Sequence, residues 1–229
     1  MKLKNIVLGS LCVFPAMYVH AAAMDQSGQS ILAFLESGNY AEGGLIIGDP
    51  NISGKLKNRP ELLDDPKNQN TGDMASSFNF YNFALKFQLT DDLSFGILYD
   101  QPFGAKISYP QQSNNSYFDN EFSHEGTDVD FKTQNLSILF GYSPFKNFQF
   151  YGGPVYQEVK GRVSLRGKAY TEALNGYNAN FKKDGETGWL AGMSYQIPEI
   201  ALKAAITYRS KIKYKLQVDE DMFGQPIQL

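Results

Sequence analysis

His124 stands beside Glu125, with Asp119 and Glu121 a few residues upstream. Past the first two dozen residues this is the one cluster whose types offer general-base or metal-ligand chemistry. A lipid hydrolase or acyltransferase would need an activated nucleophile held against a base. No Gly-x-Ser-x-Gly elbow is present, and a lone histidine in an acidic loop suits solvated surface better than a metal centre. The residues therefore point away from an enzyme, and no cofactor or metal is expected.

A second group of residues offers binding chemistry. Glu158, Lys160, Arg162, Ser164 and Arg166 alternate with Val159, Val163 and Leu165. A charge against lipid near a bilayer midplane costs about 2–4 kcal/mol, so the charged face is expected to look inward. There Lys160 or Arg162 is a candidate partner for a ligand carboxylate, a charge-assisted pair; the alternative is pairing with Glu158 and other wall charges. Elsewhere, Gln101-Pro102-Phe103-Gly104 interrupts an alternating stretch. Pro102 has no N–H to give a ladder, and Gly104 lets the backbone bend. By themselves these two mark either a β-bulge or an opening in a wall. Gln101 is placed to bond a ligand head group or to cap a broken ladder. Leu98 and Phe103 are candidates to hold an apolar chain, or to pack on Ile31, Phe34 and Leu35.

The elements that must position these residues read as strands. From Ala201 to Val218 successive residues switch face, with Leu202, Ala204, Ile206 and Tyr208 on one side and Lys203, Thr207, Arg209 and Lys211 on the other. A period of two is the strand period. Six further strands are expected at Gly38–Gly48, Ser76–Leu89, Leu93–Tyr109, Phe131–Tyr142, Phe148–Gly167 (with a bulge near Gly152–Pro154) and around Trp189–Ile197. A short helix is expected at Tyr170–Leu174. The connections alternate long and short, so antiparallel strands would gather every long loop at one end. Outer-membrane barrels are built this way. A soluble sandwich also alternates, but its strands are shorter and its loops need not sort by end. Lys213 and Lys215, with Lys211, are expected to project beyond the bilayer, because about 9–11 residues suffice to cross it. There they would meet solvent or anionic lipopolysaccharide.

The first 23 residues have the form of a secretory leader: Lys2 and Lys4, an apolar run from Ile6 to Val19, then Ala21-Ala22-Ala23. The sole cysteine, Cys12, falls inside it, which leaves no disulfide for the rest. The formal net charge of −3 becomes more acidic once Lys2 and Lys4 are lost, so nucleic acid is not an expected partner. Fourteen tyrosines and seventeen phenylalanines accompany one tryptophan, a balance that strands and interfacial girdles favour. Residues 24–37 form a short lead with helical character, and 38–229 a transmembrane portion. Seven strands fall short of the even count of eight or more in bacterial barrels. An N-terminal portion of a longer barrel is therefore expected, with an overlooked strand in Asn51–Ala75 as the alternative.

Several segments resemble the FadL-type family of outer-membrane long-chain fatty acid transporters, which includes aromatic-hydrocarbon channels. They are Gly48-Asp49-Pro50-Asn51-Ile52-Ser53-Gly54, Phe103-Gly104-Ala105, Thr133-Gln134-Asn135-Leu136-Ser137, Gly188-Trp189 with Ala191-Gly192, and Leu202 to Ser210, where Thr207-Tyr208-Arg209-Ser210 is the most specific. The resemblance implies an all-β, antiparallel transmembrane β-barrel of fourteen strands, of which this chain supplies about half, with a short N-terminal plug. It implies uptake of long-chain fatty acids or similar hydrophobic compounds across the bacterial outer membrane. It also implies sideways exit through a gap where the third strand kinks, which makes Pro102 and Gly104 the kink. The family's Asn-Pro-Ala plug motif is missing here, so a shortened or rebuilt plug is expected. The rival reading is a general diffusion porin or a structural barrel.

Overall fold

The computed structural model describes residues 27, 29–55, 70–109, 126–167 and 170–227. The leader and the His124 cluster lie outside them. In chain order the strands are β1 (Tyr40–Gly48), β2 (Ser53–Lys55), β3 (Asn70–Asp73), β4 (Phe78–Gln88), β5 (Leu93–Asp100), β6 (Gly104–Ser108), β7 (Asp128–Phe145), β8 (Phe148–Ser164), β9 (Tyr177–Ile197), β10 (Leu202–Arg209), β11 (Val218–Met222) and β12 (Gln225–Pro226). Between β8 and β9 sits one helical turn, α1 (Thr171–Leu174), where a short helix was expected. The fold is all-β and antiparallel. The wall runs β1-β4-β5-β7-β8-β9, with β6 prolonging β5 along β7, and with β10 and β11 pairing successive stretches of β9. No helix among the described residues is long and apolar enough to cross a membrane.

Alternation decides which face is which. On β7, Thr133, Asn135, Ser137 and Leu139 are buried, while Phe140 and Tyr142 on the other parity are exposed. On β9, Leu190 and Ser194 are buried and Trp189 and Met193 exposed. On β10 the exposed side carries Leu202, Ile206 and Tyr208. The outer face is thus an apolar, aromatic-rich band, and the inner face holds small, polar and a few apolar side chains. An exposed apolar area of this extent marks a surface made to meet something oily.

The wall curls around the lead. Leu32–Leu35 forms a single 3-10 turn that buries Phe34 completely. Phe34 clusters with Ala84, Leu98, Leu139, Tyr151 and Leu190, drawn from five strands. Its ring meets Tyr151 edge-on, with centroids 6.1 Å apart. Glycines make room for that ring: a Cβ on Gly96 would stand 2.6 Å from it, and one on Gly141 3.1 Å. Curvature follows from Glu36. Its carbonyl accepts a hydrogen bond from Lys86 on β4, and its carboxylate pairs with Lys203 on β10 at 2.7 Å. In a flat sheet β4 and β10 would be roughly 24 Å apart at the usual strand spacing. Two lysines reach one residue only because the sheet bends into a partial barrel.

The turns sort as expected. Thr90–Asp92, Lys146-Asn147 and Pro198–Ala201 join neighbouring strands tightly at one end. In the first, the Thr90 hydroxyl accepts the N–H groups of Asp92 and Leu93 at 3.3 and 3.1 Å. The longer connections lie at the other end.

Three expectations about the strands are corrected. Among the described residues of the Asn51–Ala75 stretch no strand joins the wall; β2 and β3 pair only with each other, and Ala75 meets the wall through a single bridge to Ile107. The register of β8 runs unshifted through Gly152–Pro154, and its irregularity against β9 falls between Val159 and Gly161. A Cβ on Gly161 would fall 2.3 Å from Phe131, so the missing side chain leaves room for the Phe131 and Phe181 rings to meet at 5.1 Å. The seventh strand does not run on to Val218. Ladder pairing stops at Arg209, and the chain resumes pairing at Val218 against Phe181. Gly188 leaves space for the intervening segment, since its Cβ would sit 2.7 Å from the Ser210 hydroxyl and 3.0 Å from Ile212. Ile212 packs against the interior cluster. Alternation persists in the sequence there because one side still faces the interior, although the backbone has left the ladder.

Candidate functional site: a break in the wall and the cavity behind it

β4 and β5 stay in register from Gln88↔Ser94 up to Phe83↔Tyr99, and there the ladder ends. The next residues, Gln101 and Pro102, carry no strand pairing, and the chain rejoins β7 as β6 at Gly104↔Lys132. Pro102 is fully buried. It has no N–H to offer, so the backbone must turn from β4 at this point. From Phe78 to Asn82, β4 is paired to β1 on one side and to no strand on the other. The break closes again further out, at the Ala75↔Ile107 bridge. The result is a window in the wall, flanked by ordinary ladder below and a single bridge above.

Side chains do what main chain would otherwise do across this window. The Gln101 side-chain oxygen accepts the Tyr81 N–H at 3.2 Å. Lys106 donates to the Ser77 carbonyl at 3.2 Å. Phe103 is fixed from the far side: its N–H donates to the Thr133 hydroxyl at 2.8 Å, and its carbonyl accepts the Thr133 N–H at 3.0 Å. A hollow of about 160 Å³ fills the window, lined by Tyr81, Gln101, Phe103, Ala105, Lys106 and Thr133, among others.

Behind the window is a second hollow of about 280 Å³, inside the wall. Phe103 lines both. Gln29 from the lead, Asn135, Val155, Gln157, Arg209, Ile212 and Tyr214 line the inner one. Arg209 donates to the Gln29 carbonyl at 3.0 Å, and Ser27 donates to Asp100 at 2.8 Å, so the lead is tethered at this cavity's edge.

The expected site residues separate into two places. Leu98, Gln101, Pro102, Phe103 and Gly104 come together at the window and its inner side. Leu98 is buried in the Phe34 cluster, which is the packing role weighed for it, and Gln101 caps the broken ladder.

Lys160 and Arg162 lie elsewhere, and their expected inward orientation is corrected. Gln149, Tyr151, Val155 and Gln157, all of one parity, are the buried residues of β8. Lys160 and Arg162 share the opposite parity with the exposed Tyr156 and sit opposite Lys132 and Asp130. Arg162 pairs with Asp128 at 2.8 Å, and Glu158 with Lys183 at 2.8 Å. The penalty for a lipid-facing charge holds near the midplane. β8 is 17 residues long, well beyond the 9–11 a bilayer needs. Its outward face is apolar at Phe148, Phe150 and Tyr156 and becomes charged only past that band.

Three contributors escaped the sequence reading. Thr133 and Asn135 belong to the polar row Thr133-Asn135-Ser137, whose alternation with Leu136 and Ile138 was the available signal. Tyr214 reaches the cavity only because the chain leaves the ladder after Arg209, and no local pattern announces that departure.

No family model and no curated protein matches the chain. Among solved structures, a crystal structure of a Pseudomonas aeruginosa FadL homologue matches at 18% identity with a TM-score of 0.45, over 79% of this chain. The chain spans 45% of that protein's length. That likeness is one of strand arrangement and says nothing about a ligand.

Proposed function

We propose that this chain forms part of a bacterial outer-membrane barrel that takes up long-chain fatty acids or similar hydrophobic compounds and releases them sideways at the window between β4 and β6. The observation that carries the reading is the broken ladder with Phe103 lining the hollows on both of its sides. Unpaired backbone groups facing hydrocarbon cost several kcal/mol each. A wall with no use for a window would close it with continuous ladder. Here the polar groups are covered by Gln101 and Lys106, side chains that can move aside without unzipping a strand. The apolar outer band supports a lipid surround, and the resemblance noted in the sequence supports the same cargo. Lys160 and Arg162, lying past the band, are proposed to meet the solvent and lipopolysaccharide layer rather than cargo.

The test staples the window. Cysteines at Tyr81 and Gln101 are introduced into a chain whose only native cysteine is Cys12. Oxidation is expected to cut uptake of labelled oleate severalfold, with recovery on reduction. Uptake that is equal in the stapled and reduced forms would refute lateral release.

A further inference from the structure

The inner cavity carries hydrogen-bonding groups that an apolar chain cannot satisfy. Asn135 is 2% exposed. Its amide nitrogen donates to Asp100 at 2.9 Å and to the Ser137 hydroxyl at 3.2 Å. A carboxylate only accepts, so Asp100 fixes the amide's orientation. The Asn135 oxygen is then the free acceptor, buried with no partner. The Tyr214 hydroxyl is buried with no partner as well. Both residues line the same hollow, together with Arg209, Val155, Ile212 and Phe103. Leaving such groups unpaired costs about 1–3 kcal/mol each, and a bound molecule that pairs them recovers that cost.

The charge balance narrows the class. Arg209 is the cation of the cavity, but Asp100 lies within its electrostatic reach and also bonds Asn135. The two charges offset each other. A bare carboxylate brought to Asn135 would meet a second acceptor there and the Asp100 charge behind it. A neutral head that donates to the Asn135 oxygen and accepts from Tyr214 or Arg209 would leave nothing unpaired.

Resting on the uptake reading above, we propose that the cavity behind the window selects amphipathic compounds whose uncharged polar head both donates and accepts hydrogen bonds, as a long-chain alcohol does. The apolar tail lies along Phe103, Val155 and Ile212. A site built to bond a hydroxyl rejects an analogue without it, because its own buried groups are left unpaired.

The experiment is equilibrium binding of radiolabelled 1-dodecanol to the full chain in detergent, with dodecyl methyl ether, dodecane and dodecanoate at pH 8 as competitors. Dodecanol is expected to bind about tenfold more tightly than the ether, which accepts but does not donate, the worth of one well-placed hydrogen bond. Asn135→Ala is expected to erase that ratio, with an unchanged far-UV circular dichroism spectrum as the check that the variant is folded. Tyr214→Phe is expected to weaken alcohol and ether alike. Equal affinity for alcohol and ether in the unaltered chain overturns the head-group inference and leaves hydrophobic uptake standing, as does dodecanoate outcompeting the alcohol. Absence of specific binding by all four overturns both.

Discussion

Replacing Phe34 with alanine is expected to loosen the lead from the wall by about 3–5 kcal/mol, the usual cost of deleting a fully buried phenylalanine. The size of the effect follows from the site. The ring is wholly buried, contacts Tyr151 edge-on and occupies space that Gly96 and Gly141 leave open. Those glycines sit on the wall and cannot move in to fill the hole. What remains is the smaller apolar contact of Ile31, Ala33 and Leu35 and the polar bonds of Lys203 to Glu36, Gln196 to the Leu35 carbonyl and Arg209 to the Gln29 carbonyl. Water competes for such bonds once the apolar seal is gone. Hydrogen exchange reads the outcome at the Phe34 amide, which donates to the Ile31 carbonyl at 3.0 Å. Its exchange is expected to rise about a hundredfold or more, with little change in the amides of β7 and β8. Phe34→Leu keeps most of the volume and should lose less than about 1.5 kcal/mol. If the alanine variant leaves the amide as protected as before, the ring does not hold the lead against the wall.

Phe140→Arg is expected to cost about 2–4 kcal/mol, and Gln134→Arg on the same face no more than about 1. Phe140 is exposed on the outer face of β7, opposite Gly152, and its ring stands 5.3 Å from Phe95. It lies in the middle of the apolar band. Gln134 lies opposite Glu158, where the outer face turns charged. Both changes put the same charge on the same side of the same strand, so the contrast reads depth, with the Glu158 carboxylate opposite position 134 adding to it. Folding into lipid vesicles, followed by denaturant titration, measures each cost. Equal costs at the two positions would mean that no depth-dependent apolar medium surrounds the wall.

Much of the wall was legible in the chain. On β10 period-two alternation set Leu202, Ile206 and Tyr208 against Lys203, Thr207 and Arg209, and the structure exposes the first set, because the strand has one apolar and one polar phase. The window was legible as an interruption at Gln101–Gly104, which the residues alone read as either a bulge or an opening: Pro102 has no N–H for a ladder, while Gly104 already pairs with Lys132 at the start of β6. What alternation does not carry is absolute direction. On β8 the row Glu158, Lys160 and Arg162 alternates as cleanly as any, yet it lies on the outward parity, because the strand continues past the apolar band and the rule for buried charge lapses there; only Arg166, beyond the end of β8, is buried, donating to the Leu165 and Tyr177 carbonyls and to Asn178. Nor does alternation report whether a partner strand is present, which is why Ser210–Gln217 reads as strand although its backbone has left the sheet. Asn135 and Tyr214, far apart in the chain, come to line one cavity only because of that departure, so no local reading reaches their meeting.

The central claim is that lipid bathes the face carrying Leu136, Ile138, Phe140 and Tyr142, while Asn135, Ser137 and Leu139 look into the barrel. Spin labels placed singly from 135 to 142 on the membrane-reconstituted chain test it, read by collision with dissolved oxygen, which concentrates in lipid. The account predicts a period of two, with oxygen contact high at 136, 138, 140 and 142 and low between. A flat profile, or maxima at 135, 137 and 139, would contradict it.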